Sequence, residues 1–252
     1  MRGAALIRLH LFEFNDQPWF PASWRACGLA YLAKLSDWIG AADAMAPFLQ
    51  RVVGDRIVDL CSGQRGPAVR LGELLNVPVT LTDKFPDRAT FGRLESDRVQ
   101  VRTDSVDALA VPAELTGTRT MFNALHHFRP DEVRAVLGDA ATAGQPIAIF
   151  ELSERTFVNL NSAPLIIPIL VALTVPTLRP FRWDWIVFTY LIPILPLVIA
   201  WDGWVSHWRT YTPHELRGLT PQVEGYTWTI EQSQLGPGKM TVLLGAPSGQ
   251  YM

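Results

Sequence analysis

The densest run of residues that could do chemistry is Ile57-Val58-Asp59-Leu60-Cys61-Ser62-Gly63-Gln64-Arg65-Gly66-Pro67. A short apolar strand pattern ends in a carboxylate, a turn of small residues follows, and a helical pattern begins at Ala68. Strand, turn and helix in that order suit a nucleotide-type ligand, because small residues let it approach the backbone and the helix N-terminus. Two ligand classes compete for this turn. As the G-x-G-x-x-G fingerprint of dinucleotide sites, the positions are Cys61, Gly63 and Gly66, and the first glycine is missing. Asp59 argues for the other class. A carboxylate two residues before the turn is unwelcome beside a pyrophosphate and useful beside a ligand that carries an amino group and a sulfonium.

Further candidates follow at intervals. Asp83-Lys84 closes the pattern Val-Thr-Leu-Thr, and Asp104-Ser105 follows residues 99–103. The segment Phe122-Asn123-Ala124-Leu125-His126-His127-Phe128 offers two histidines, whose ordinary pKa near neutrality suits a general base. Glu151 ends another strand pattern, at the position in such sheets where active-site groups gather. Each candidate has a plainer reading: Asp59 as a turn cap, Asp83 with Lys84 as a solvated pair, Asp104 and Asp107 as an Asx turn and helix cap, Glu151 and Glu154 as caps of the next segment. No metal site is expected, since adjacent histidines do not share a face well enough to form one alone. No Tyr-x-x-x-Lys pair of the oxidoreductase kind is present.

The elements that must position these residues alternate. Strand patterns occur at 56–60, 77–82, 99–102, 118–122 and 146–151, with helices at 68–75, 88–94 and 130–141 between them. Residues 18–53 read as helical, entered at Pro18 and Pro21, with an aromatic cluster at Trp19, Phe20 and Trp24. A late helix at 212–219 and strands at 226–232 and 240–244 close the chain. Alternating β and α implies a mostly parallel sheet covered on both faces.

The chain has 252 residues, enough for one α/β domain with a sizeable core. Its net charge of −2 and the lack of a basic run exclude a nucleic-acid partner. Two cysteines form neither a disulfide framework nor a zinc spacing and suit a reducing compartment. Residues 1–14 do not read as a signal peptide. Mean hydropathy is +0.14 although 18% of residues are charged, and the excess is concentrated in residues 157–208. Two charge-free runs there, 157–178 and 185–201, flank Arg179, Arg182 and Asp184. Prolines at 164, 168, 176, 193 and 196 are expected to break both runs, and five tryptophans bracket the second, as interfacial aromatics do. The expected form is a monotopic hairpin in one leaflet with the arginines snorkelling to headgroups. A spanning hairpin and a soluble lid or oligomer interface are the alternatives.

The motif order resembles the class I S-adenosylmethionine-dependent methyltransferases over about residues 56–151, resuming near Arg209. The resemblance implies that Asp59, Cys61 and Gly63 carry the amino-acid end of the cofactor. It implies that Asp83 and the adjoining Lys84 lie at its ribose, that Asp104 and Ser105 meet the adenine, and that Asn123, His126 and His127 line the methyl-transfer site. Cys61 and Arg65 stand where the commonest motif has glycines, and the fourth strand lacks the acid that often precedes it. The implied fold is α/β, a Rossmann-like sheet, mostly parallel with an antiparallel last strand. The implied cofactor is S-adenosylmethionine. The expected organisation is an N-terminal helical cap at 1–53, a catalytic domain at 54–156 and 209–252, and the apolar hairpin at 157–208. The expected activity is methyl transfer to oxygen of a lipophilic small molecule on the cytoplasmic side of a membrane. His126, His127 and Glu151 are the candidate catalytic groups. A degenerate membrane scaffold and an NAD(P)-dependent oxidoreductase are the rival functions, and monomer and homodimer are both open.

Overall fold

The computed structural model describes residues 6–63, 66–86 and 92–249. The chain forms two compact units. One comprises Ser36–Leu152 and Pro213–Met252. The other comprises the N-terminal segment through Leu35 together with Ser153–Thr212. The apolar segment shares its unit with the start of the chain.

The expected single helix at 18–53 is two helices, α1 (Ala22–Trp38) and α2 (Ala41–Leu49). Gly40 separates them with φ +64°, a left-handed conformation that glycine adopts without steric cost. In the larger unit follow β1 (Ile57–Asp59), α3 (Ala68–Leu75), β2 (Val79–Leu81), β3 (Val99–Val101) and β4 (Thr118–Phe122). Then come α4 (Pro130–Thr142) and β5 (Ile147–Glu151). Of the helix expected at 88–94, residues 88–91 lie outside the described residues and 92–94 form a turn.

The sheet has seven strands in the order β3-β2-β1-β4-β5-β7-β6, where β6 is Tyr226–Leu235 and β7 is Gly238–Pro247. The first five pair in parallel, and β7 runs antiparallel to both β5 and β6. The central strands β1, β2 and β5 are buried at every residue, as continuous apolar strand patterns require when helices cover both faces. On one face Ala41, Met45 and Leu49 of α2 join Ala68 and Leu71 of α3 over Ile57, Val79 and Phe150. Gly72 sets how close α3 can sit, since a Cβ there would meet Val79 Cγ2 at 2.3 Å. Asn76 ends α3 in the left-handed conformation at φ +58°, and the next amide, Val77 N, donates to Gly72 O. On the other face α4 buries Val133, Val136 and Leu137 and packs on β7 and on α8 (Pro213–Leu219).

In the smaller unit α5 (Phe157–Thr174) runs unbroken through Pro164 and Pro168, against the expectation that these prolines interrupt it. At Pro164 a substitute donor takes over the lost bond. Pro164 has no N–H to offer Leu160 O four residues back, and the indole Nε1 of Trp204 donates to that carbonyl at 2.9 Å instead. Only Pro193 breaks the second run. It parts α6 (Trp183–Ile186), prolonged by a π-turn at Val187–Leu191, from α7 (Ile194–Arg209), and the two segments meet at 84°. Pro196 fits in the first turn of α7, where its missing N–H is unneeded. Cys27 and Tyr31 of α1 share a core with Val171, Val175, Trp185, Leu195 and Ile199.

Candidate functional site

The turn after β1 is tied down from several strands. Thr82 donates both its N–H (2.9 Å) and its hydroxyl (2.8 Å) to Asp59 O, and Ser62 Oγ donates there too at 3.0 Å. Three donors on one carbonyl fix the end of β1 and turn the chain sharply. That turn needs left-handed backbone at Cys61 (φ +58°) and Gly63 (φ +58°). Cys61 thus occupies a conformation that costs a non-glycine residue of order 1–2 kcal/mol. Burial pushes its thiol well above the usual range, with the charges of Asp83 and Asp59 adding to the effect, so Cys61 is not a thiolate nucleophile. Gln64 and Arg65 lie outside the described residues.

Asp59 is 1% exposed. Its Oδ1 accepts from Thr120 Oγ1 at 2.8 Å, across the β1–β4 register that pairs these two residues. Its Oδ2 is buried without a hydrogen-bond partner among the described residues. Burial raises its pKa to about 7, opposed by the hydroxyls of Ser62 and Thr120 and helped by the charge of Asp83. A buried, half-satisfied carboxylate at the C-terminal end of a central strand is costly. An ammonium or other donor from a ligand would relieve that cost.

Asp83 follows β2 and braces two turns: Oδ2 accepts from Gly63 N at 2.9 Å and Oδ1 from Phe85 N at 2.8 Å. Each oxygen keeps a second lone pair for an incoming hydroxyl. Lys84 does not pair with Asp83. It reaches Asp107 Oδ2 at 2.7 Å, which depresses the Asp107 carboxyl and raises the Lys84 ammonium. Ser105 Oγ donates to Lys84 O at 2.7 Å, and Asp104 is exposed with Arg102 at 3.5 Å. These contacts bring the β2 and β3 loops together beside Asp83.

After β4, Asn123 is left-handed at φ +49°. Its Oδ1 accepts from Leu152 N at 3.2 Å, so it clasps the ends of β4 and β5. A single 3₁₀ turn, Leu125–His127, then presents the histidines. Glu151, at the end of β5 and 3% exposed, accepts from Leu125 N at 2.8 Å and meets His126 Nδ1 at 2.7 Å. The two imidazoles lie side by side with centroids 4.3 Å apart. They share a face more closely than the sequence expectation allowed, because flat rings can swing across the roughly 120° step of a 3₁₀ turn.

Two residues here escaped the sequence reading. Thr120 was invisible without the β1–β4 register. Phe85, 83% exposed beside Asp83, did carry a signal: a large aromatic directly after a strand-end acid, where burial would be the default.

No protein-family model matches this sequence, and no curated protein matches it significantly. Solved structures share its fold. The plantazolicin methyltransferase BpumL, in complex with SAH, aligns over 92% of this chain and 94% of its own, with 11% identity and a TM-score of 0.56. Human N-acetylserotonin methyltransferase, in complex with SAM, aligns over 92% of this chain and 60% of its own, with 14% identity and a TM-score of 0.53. A Rhodobacter sphaeroides protein named for Zn-dependent alcohol dehydrogenases aligns over 81% and 88%, with 16% identity and a TM-score of 0.50. At these identities the likeness establishes architecture. The chain has the Rossmann-like fold of the class I S-adenosylmethionine-dependent methyltransferases, including the antiparallel β7.

Proposed function

We propose that this protein transfers a methyl group from S-adenosylmethionine to an oxygen of a lipophilic small molecule, working at the cytoplasmic surface of a membrane. The observation that carries the cofactor half is Asp59: a buried carboxylate with one oxygen unanswered among the described residues, beneath a turn of small residues. S-adenosylmethionine, when bound, supplies a methyl group on a sulfonium, which needs no further activation. Its amino group suits Asp59 Oδ2, and Cys61 and Gly63 let it approach the backbone. Asp83 retains lone pairs for two ribose hydroxyls, Phe85 offers a face for the adenine ring to stack on, and Asp104 with Ser105 offers polar contacts for its edge. Lys84 and Asn123 act by position, Lys84 by binding the β3 loop and Asn123 by clasping β4 to β5.

The acceptor half rests on His126 and Glu151. An ionised Glu151 beside Nδ1 holds a proton on that nitrogen and makes Nε2 the basic one. The dyad thereby orients a base for the proton of an attacking hydroxyl, with His127 alongside. Such a base contributes about 10²–10⁴-fold to rate. The lipophilic acceptor is supported by the exposed apolar segment between β5 and α8, and the dinucleotide alternative loses to Asp59.

Calorimetry tests the reading. Wild type should bind S-adenosylmethionine with micromolar affinity, on the order of −8 kcal/mol, and Asp83→Ala should lose it. His126→Gln should bind normally and turn over alkylphenol probes at least 100-fold more slowly, about the low end of general-base effects. Absence of wild-type binding would leave a membrane scaffold as the function.

A further inference from the structure

The smaller unit carries a feature the chemistry does not use. Along α5, Leu165, Ile166, Ile169 and Leu173 are 71, 50, 61 and 64% exposed. They follow the helical repeat of a single stripe. The opposite stripe, Leu160, Ala163, Val171 and Thr174, is buried. Leu191 and Leu197 add to the exposed apolar surface, and Arg179, Phe181, Arg182 and Trp183 follow α5, all exposed. An apolar surface this continuous is not left in water.

We infer that this face lies in one leaflet of an anionic bilayer, with α5 in the membrane plane and Arg179 at the headgroups, and that the hairpin does not span. Length does not decide the matter. Among the described residues one helix, Phe157–Thr177, is long and apolar enough to cross. Packing decides. Val171 of α5, with Ile167 and Leu170 beside it, shares a core with Cys27 and Tyr31 of α1 and with Leu195 and Ile199 of α7, and Trp185 Nε1 donates to Ser23 O at 2.9 Å. Spanning would strip α1 away and break that bond.

The far end of α7 is equally committed. Asp202 accepts from Phe14 N at 2.7 Å and Asn15 N at 3.0 Å, and buried Arg209 pairs with Asp16 at 2.7 Å. Carrying this cluster into hydrocarbon would remove the water that still reaches Asp16, 37% exposed, and place charged groups at the depth where they are most costly. A half-exposed apolar helix followed by exposed aromatic and basic residues is instead the form that sits at the boundary of headgroups and acyl chains.

A second copy of the chain is the other occupant to weigh. A two-fold interface is self-complementary, so the arginines need an acid on the same face. Between residues 156 and 201 the sequence has a single acid, Asp184, already held by Arg182 and by Ser23 Oγ. Arg179 therefore finds its complement in anionic lipid and not in a symmetry mate.

The inference deepens the membrane part of the proposed function and is independent of its chemistry. Full-length protein is floated with sealed vesicles of phosphatidylcholine and phosphatidylglycerol, without cofactor. Wild type should float, and Leu165→Ser/Ile169→Ser should partition about 100-fold less, since both side chains lose their transfer to hydrocarbon. Arg179→Gln should lose about fivefold on anionic vesicles and nothing on pure phosphatidylcholine. Thr177→Cys should react with an impermeant maleimide added outside, above the wild-type background. Labelling only after vesicle lysis would establish a span and overturn the inference. So would failure to float, or a detergent-free dimer that ignores vesicles. Flotation with no S-adenosylmethionine binding by calorimetry would instead remove the methyltransferase reading and leave this one standing.

Discussion

If Asp59 receives the cofactor's ammonium, affinity must follow its ionisation. Burial holds its pKa near 7, against about 3.9 for a free aspartate. The folded state therefore holds a proton that the unfolded state has released between pH 4 and 7. This group's contribution to stability is full below pH 4 and falls as pH rises towards 7, by about 4 kcal/mol for three pKa units. The cation reverses the balance by favouring the carboxylate. With a pKa of 7, about 3% of Asp59 is ionised at pH 5.5 and about 76% at pH 7.5. S-adenosylmethionine should then bind about 25-fold more tightly at pH 7.5 than at 5.5, or about 1.9 kcal/mol. Titration calorimetry at pH 6.5, in two buffers of different ionisation enthalpy, should register proton release on binding. Asp59→Asn should bind weakly and with no pH dependence over this window. An affinity that is flat in the wild type, or that rises on acidification, refutes the assignment of Asp59 as the ammonium's partner.

Other expectations concern the scaffold. Cys61→Gly should raise stability by about 0.5–1 kcal/mol, strain relief exceeding the added chain entropy, seen as a higher urea midpoint at constant m-value; a lower midpoint contradicts it. Trp204→Phe should cost about 1 kcal/mol because Leu160 O loses its donor, and Pro164→Ala in that background should recover most of it by restoring the helical N–H. A double-mutant cycle with no coupling would dismiss that account of the unbroken α5. Arg119 is 2% exposed and pairs with Asp139 at 2.5 Å. Asp139→Ala should therefore cost about 2–3 kcal/mol in thermal unfolding, less than for a fully buried pair because Asp139 is partly solvated.

What could be read in advance depended on range. The strand–turn–helix run at 57–75, the helix after Arg129 and the closing strands are local patterns, and they appear within a few residues of where periodicity put them. The acids at 59, 83 and 104 end strands or enter loops, as alternation requires. What stayed hidden was non-local. Nothing near Pro164 shows that Trp204 will supply the missing donor, nor does anything near Asp59 show that Thr120 will face it in the next strand. The Glu151–His126 pair needs β4 and β5 in register, and the strain at Cys61 needs the turn itself. Phe85 carries only a weak local signal, because a single exposed aromatic is common on protein surfaces.

The sheet order puts assembly out of step with synthesis. Strand β7 lies between β5 and β6, yet β5 leaves the ribosome 86 residues before β7 begins. At about 5–20 residues per second, the fully buried β5 waits about 4–17 s with one edge unpaired. During that wait the apolar segment is itself being made. A nascent chain with an open sheet edge and an undocked hydrophobic hairpin is an aggregation hazard. Early capture of the hairpin, by a holdase or by the bilayer itself, would shield the chain until its last strands arrive and close the sheet.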